Sequence, residues 1–369
     1  MDIYYYVLLW SGFAGSIAWS PFTEREKKII YLLVVFLPMI CICGLRSSSV
    51  GIDTPMYHLL IQDAFNDTFE DFFSYNGYQK KLDIGWFVLT KIIQIFSDDT
   101  QVVIFIAALI SLSGFAIYIY IYSRNVYIST ILFIILGYWL QHFNLMRQFM
   151  SIMILAFAYE SLINDKRRRF ILLVGVAFLF HMSALIYLPL VVFFKSKFNH
   201  MKIIMLIAIG LFFLAIFFPV QQVILLFPPA VSFYLNTLFA TPKTSLLIAV
   251  KCISIYIFLV FSLYKFYLDK SVNYKDYRLI CYYAIPLLLA CFFSMAQYQL
   301  MIFYRLVDMF QFYLIIIIPM VLSKIKIYRS NVFFRYIFNV FLFILGICYF
   351  TRTLDTLSEA GSIYYSSCF

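Results

Sequence analysis

Apolar residues along this chain gather into long runs separated by short polar loops. The runs lie at roughly 3 to 20, 28 to 44, 101 to 122, 126 to 141, 147 to 163, 170 to 194, 203 to 219, 245 to 264, 279 to 296, 309 to 323 and 336 to 351. Most approach the ~20 residues that a helix needs to cross the hydrocarbon core, so the pattern predicts a bundle of transmembrane helices. One stretch stands apart. From Arg46 to Thr100 no apolar run is long enough to span, and the stretch carries Asp53, Asp63, Asp67, Glu70, Asp71 and Asp83. Within it, Gly51-Ile-Asp53-Thr-Pro-Met-Tyr57 reads as a turn that aims a carboxylate back at the membrane. Leu82 to Phe96 reads as a short interfacial helix.

The loops set the orientation. Arg25, Lys27 and Lys28, then Arg124, then Lys166 to Arg169 alternate correctly if all three basic loops are cytoplasmic, which puts the N-terminus outside. The run from 170 to 194 decides the topology of the rest of the chain. A single crossing there would export eleven later cations, beginning with Lys195, Lys197 and Lys202 and ending with Arg335. That violates the positive-inside rule. The alternative is a re-entrant hairpin of two half-helices, 170 to 180 and 183 to 194, with His181-Met-Ser183 at its tip. Eleven residues rise about 16 Å, half a hydrocarbon core. Such a tip requires surrounding protein or a water-filled cavity, because its backbone finds no hydrogen-bond partner in lipid. A tilted straight helix is the competing reading. With the hairpin, about ten full crossings leave both termini and the loop at about 45–100 on the outer face, and residues 1–369 form one integral membrane domain.

Composition sharpens this. With 64% hydrophobic and 12% charged residues and a mean hydropathy of +0.91, the chain is excluded from the soluble globular class. The net charge of +10 sits in short loops between apolar runs, so it sets topology and does not point to nucleic acid. The seven cysteines read as small hydrophobes, since Cys41-Ile-Cys43 lacks the spacing and the histidines of a zinc site. No basic segment precedes the first run, which reads as a first spanning helix without a cleavable signal. The chain carries no P-loop, Asp-x-Asp, His-Glu-x-x-His or Gly-x-Ser-x-Gly motif. Its chemistry is therefore expected to use a membrane-borne activated donor, with no cofactor, no metal and no nucleotide.

Candidate chemistry lies where ionisable groups meet the apolar runs, because such groups line polar cavities or pair with one another. Three arginines fall at outward-facing ends: Arg46, Arg147 and Arg305. A guanidinium suits diphosphate because its planar fork donates paired hydrogen bonds and keeps its charge. Arg147 is followed by Gln148 and preceded by His142 and Asn144. Asp308 shares a helix face with Arg305. His181, partnered by Ser183, is a candidate general base for a sugar hydroxyl, and Asp53 is a second.

Three patches resemble the EpsG-like family of bacterial exopolysaccharide and O-antigen polymerases, the Wzy-type repeat-unit polymerases. They are Leu45-Arg46 to Tyr57; Asn144-Leu-Met-Arg147-Gln148 with Ala156-Phe157-Ala158; and Arg169-Phe170 to Phe180-His181-Met-Ser183-Ala184, the most specific. The chain departs from the family pattern at Asp83-Ile-Gly85-Trp86, where a glutamate is usual, and at Thr54-Pro55 in place of an aromatic. The resemblance implies a GT-C-like glycosyltransferase that moves a growing glycan from polyprenyl (undecaprenyl) diphosphate onto the next lipid-linked repeat unit. The site would be the outer face of the bacterial inner membrane. Arg147, Arg46, Gln148 and Arg305 would hold the diphosphate, and His181 or Asp53 would act on the acceptor. Tyr57, His142, Asn144, Ser183 and Asp308 would support them. Donor and acceptor are both lipid-linked glycans, and a chain-length regulator and a flippase are expected partners. A flippase of lipid-linked glycan and a membrane acyltransferase are the alternative functions.

Overall fold

The computed structural model describes residues 2–74, 83–193, 210, 246–268, 274–297 and 303–359. Within them the chain is helical and forms no strand. In order the helices are α1 (Asp2–Ala14), α2 (Glu24–Gly44), α3 (Thr54–Asn66), α4 (Phe69–Ser74), α5 (Ile84–Gln94), α6 (Thr100–Tyr122), α7 (Val126–Ile135) and α8 (Tyr138–Gln141). They continue as α9 (Met146–Ile163), α10 (Arg167–Phe180), α11 (Leu190–Phe193), α12 (Leu246–Leu268), α13 (Tyr274–Ala296), α14 (Tyr304–Gln311), α15 (Leu314–Leu322), α16 (Lys326–Ser330) and α17 (Val332–Glu359). Short 3-10 turns follow α1 (Gly15–Trp19) and α10 (Met182–Tyr187).

Five stretches among the described residues are long and apolar enough to cross a membrane: Glu24–Gly44, Thr100–Tyr122, Met146–Ile163, Tyr274–Ala296 and Tyr304–Leu322. The chain is thus an all-α membrane protein. The run at 126 to 141 is interrupted at Gly137 and yields the shorter α7 and α8. Apart from Gly210, the run at 203 to 219 lies outside the described residues.

The chain divides into two compact units, residues 1–191 with 318–369, and residues 192–317. In the first, α2 packs along α6, and α9 packs along both α6 and α10. The N-terminus of α2 is closed by a capping box, in which Glu26 N–H donates to Thr23 Oγ1 (3.3 Å) and Thr23 N–H to Glu26 Oε2 (2.9 Å). Inside the bundle, Tyr118 on α6 donates to the buried Glu160 of α9 (2.8 Å), so that this acid is not left unpaired in an apolar core.

The run from 170 to 194 is broken at His181, in keeping with its polar tripeptide. His181 takes an extended backbone (φ −160, ψ 124) and ends α10. The chain then doubles back. α9 and α10 pack as neighbours joined by a short link. Had α10 continued straight, Tyr187 would lie about 30 Å from its start, beyond the far end of α9. Instead the Tyr187 ring meets that of Tyr159, one turn from the near end of α9 (6.5 Å), and Tyr187 is buried. The returning limb is not the regular half-helix expected over 183 to 194. It is a 3-10 turn followed by α11, because Pro189 between them has no N–H to continue the ladder.

The described parts of the loop at about 45–100, residues 45–74 and 83–100, are largely helical. The stretch read as a turn at Asp53-Thr-Pro leads directly into α3, with Pro55 in the first turn, where its missing N–H costs nothing. Tyr57, Ile61 and Ala64 then form one buried face at helical spacing. The helix expected over Leu82 to Phe96 appears as the shorter α5, with Leu82 outside the described residues. α3 packs on α5 and α6, and α5 packs on α10. Their shared core joins Tyr57, Ile61, Trp86 and Ile93 to Val103, Ile104 and Ala107 of α6 and to Met146 and Met150 of α9. Phe180, next to the break, packs against the same core. The loop therefore caps the ends of α6, α9 and α10 on one side of the bundle.

Candidate functional site

The site grows from the turn that links α2 to α3. Gly51 takes φ +92, and a Cβ there would fall 2.5 Å from the Phe143 carbonyl oxygen, so both backbone and space require glycine. The close approach lets the turn bind the segment ahead of α9. Ile52 N–H donates to Asn144 Oδ1 (2.7 Å), while Thr54 Oγ1 contacts the Val50 (2.6 Å) and Phe143 (3.2 Å) carbonyls.

Arg46 completes this joint from within. It is fully buried; its Nε donates to Thr54 Oγ1 (3.2 Å), and Nη1 donates to the Cys43 carbonyl and lies 3.5 Å from His142 Nδ1. Nη2 reaches Met146 Sδ (3.3 Å), and the guanidinium lies 5.2 Å from the centre of the Phe143 ring. His142 is also fully buried. The sequence groups Arg46 with Arg147 as a diphosphate ligand; the structure places its donors on the turn, the α2 terminus and His142.

Arg147 is differently placed. It stands in the first turn of α9 with about a fifth of its side chain exposed. Its Nη1 forms an ion pair with Asp83 Oδ2 at 2.7 Å, and its guanidinium lies 5.9 Å from the centre of the Tyr57 ring. Tyr57 in turn meets Trp86 (5.6 Å). Asp83 precedes α5, which is brought onto α10 by Gly85, where a Cβ would lie 2.7 Å from the Leu179 carbonyl oxygen. Burial pushes the Asp83 carboxyl up to about 6, against the opposing pull of Arg147. Burial likewise raises the Tyr57 hydroxyl; Arg147 opposes this and Asp53 adds to it, so Asp53 belongs to the same electrostatic neighbourhood. Asp53 itself is half-buried at the head of α3. Gln148, beside Arg147, is buried.

His181 caps the turn after α10. Its Nδ1 lies 2.6 Å from Ser183 Oγ and accepts from Ser183 N–H (3.3 Å), the partnership expected from the sequence. A backbone N–H only donates, so the neutral ring carries its proton on Nε2. In this tautomer Nε2 is the ring's donor, and the basic nitrogen, Nδ1, is engaged with Ser183. Arg305 and Asp308 lie on α14, in the second unit; Arg305 Nε donates to the Tyr304 hydroxyl (3.3 Å), and both residues are half-buried.

The first unit thus joins Arg147, Tyr57 and Asp53, with Gln148 adjacent in the chain. Arg46, His142, Asn144 and Thr54 hold the turn that carries them. Asp83 does not stand out in the sequence, because the resembling pattern has glutamate there. The signal that could have found it is an acid heading a short helix, two residues before a glycine that permits close packing. Among the described residues, no three His, Cys, Asp or Glu side chains gather as a metal site.

No curated protein and no solved structure matches the chain. Residues 29–367, nearly the whole length, match the EpsG family, the same family that the three sequence patches resemble. The chain therefore belongs to the EpsG family, a family of polysaccharide polymerase-like membrane proteins.

Proposed function

We propose that this protein is a repeat-unit polymerase of about ten crossings and GT-C-like architecture, which transfers a glycan from polyprenyl diphosphate onto a second lipid-linked repeat unit. It works on the outer face of a bacterial inner membrane, with both termini on that face. The observation that carries this reading is Arg147, a partly open guanidinium at the end of a spanning helix, roofed by α3 and α5 and flanked by Tyr57 and Asp83. A fork of this kind matches a diphosphate, and in a water-poor site its charge stabilises the leaving group.

In the transfer, the acceptor hydroxyl oxygen bonds to the donor's anomeric carbon. The bond from that carbon to the diphosphate oxygen breaks, and the lipid diphosphate leaves with the electron pair. Arg147, with Gln148 beside it, takes up the developing charge. Arg305 is assigned to the lipid-linked substrates as a second cation of the same chemistry. Arg46 contributes by positioning: it holds the turn that sets Asp53 and Tyr57. His181, steadied by Ser183, and Asp53 orient the acceptor sugar. Asp308 supports Arg305. A flippase that delivers the repeat unit and a regulator of chain length are the partners this reaction implies.

The test supplies purified protein in nanodiscs with a lipid-linked repeat unit and neither nucleotide sugar nor added metal, and reads products as a glycan ladder. Wild type should build a ladder. Arg147→Ala, folded and inserted, should lose at least ~10²-fold in rate, and Arg147→Lys should recover only part because a point charge lacks the fork. A ladder of wild-type rate from Arg147→Ala would overturn the reading. Movement of the lipid across liposomes without any ladder would make the protein a transporter.

A further inference from the structure

The Arg147–Asp83 pair bears on a step that the polymerase reading leaves open, namely which group takes the acceptor's proton. The two bases suggested by the sequence are poorly set for it. His181 keeps Nδ1, the basic nitrogen of its neutral ring, on the Ser183 backbone N–H and beside its hydroxyl. Asp53 stands half-buried at the head of α3 and has interactions of its own there.

Asp83 is better placed. Its Oδ2 holds Arg147, its Oδ1 makes no hydrogen bond among the described residues, and about a quarter of the side chain is exposed. The carboxylate is therefore open to a ligand at the very cation that a diphosphate would seek. Its neighbours fix it there. Gly85 seats the start of α5 on Leu179, and Trp86 anchors it in the core with Tyr57.

We propose that Asp83 occupies the anion site of Arg147 until donor arrives and then serves as the catalytic base for the acceptor hydroxyl. This rests on the polymerase reading above. In the resting protein the carboxylate neutralises Arg147, and the adjacent cation makes it a weaker base than burial alone would. When a lipid diphosphate takes the guanidinium, Asp83 loses that partner and gains an anionic neighbour. Both changes raise its affinity for a proton. The acceptor O–H proton then passes to the Asp83 carboxylate as the oxygen bonds to the anomeric carbon and the diphosphate departs on Arg147. Base strength is thus switched on by the donor. Activation of a hydroxyl without a donor in place is disfavoured.

The experiment compares wild type, Asp83→Asn and Asp83→Glu in nanodiscs by two measurements. One is ladder formation at saturating lipid-linked repeat unit. The other is binding of polyprenyl diphosphate that carries no sugar, followed through tryptophan fluorescence, for which Trp86 is the nearby reporter. Asp83→Asn should bind the lipid diphosphate a few-fold more tightly, because a competing carboxylate is gone, and should turn over about 10²–10³-fold more slowly. Asp83→Glu should restore most of the turnover. A merely structural Asp83 would make Asn weaken binding and turnover together, and a merely inhibitory one would make Asn faster; either result overturns the proposal. Wild type that binds but builds no ladder sinks the polymerase reading itself. Asp83→Asn that builds ladders at the wild-type rate sinks only the base.

Discussion

Arg46 and Arg147 look alike in the sequence, each a lone cation beside an apolar run, yet burial separates them. Arg46 is enclosed, with its donors on Thr54, the Cys43 carbonyl and the neighbourhood of His142. Removing it strands buried polar groups and leaves a cavity. Arg46→Ala should therefore lower stability by about 2–4 kcal/mol, read as a drop in the thermal transition in detergent, whereas Arg147→Ala should change stability little. Equal stability of the two variants would show that Arg46 does not hold the turn between α2 and α3. That a charge lies at a membrane edge is legible in the sequence. Whether it faces a ligand or is enclosed is not, because the groups that close over it, His142 and Met146, lie about a hundred residues away. Asp83 illustrates the same limit, since the ion pair with Arg147 joins two distant stretches.

At the scale of elements, the local signals are strong where backbone chemistry dictates the outcome. Gly51 takes the positive φ that a turn demands, and His181-Met-Ser183 interrupts α10 because a polar cap and its serine compete with the helical ladder. α3 is not legible in the same way, since its buried face becomes visible only once α5 and α6 are in place. The approach of α5 to α10 is likewise tertiary. Gly85→Val should force the two apart, because the added carbons meet the Leu179 backbone, which cannot yield as a side chain would. The expected result is an inserted protein with turnover at least tenfold lower, from displaced Asp83 and Trp86. Hydrogen exchange should show faster opening in residues 84–94 while α6 and α9 keep their protection. Unchanged exchange and turnover would rule out that close contact.

For the whole molecule, the prediction concerns sidedness. In a background with the seven native cysteines replaced by alanine, single cysteines placed at exposed positions of the cap, such as Gln62 or Asp63, should react with an impermeant thiol reagent added to intact spheroplasts. One placed at Arg168 should react only after permeabilisation. Ser183→Cys should react from the outer face with a small water-soluble reagent, since the broken tip is expected to meet a polar cavity. Labelling of Arg168→Cys in intact cells would invert the topology. Reaction of Ser183→Cys only from inside would remove the cavity that the proposed transfer needs.

The sequence alone carries that this is a helical membrane protein, where its long apolar runs lie and that its family is EpsG, and it leaves the break at His181 as one of two readings. Most of this follows from local properties: the length of an apolar run, the sign of a loop, a residue's effect on its own backbone. Tertiary packing alone makes the described part of the loop at about 45–100 a helical cap, returns Tyr187 to Tyr159, encloses Arg46 and brings Asp83 to Arg147. The physical reason is that helix formation depends on near neighbours, whereas a charge's role depends on which distant groups share its dielectric surroundings.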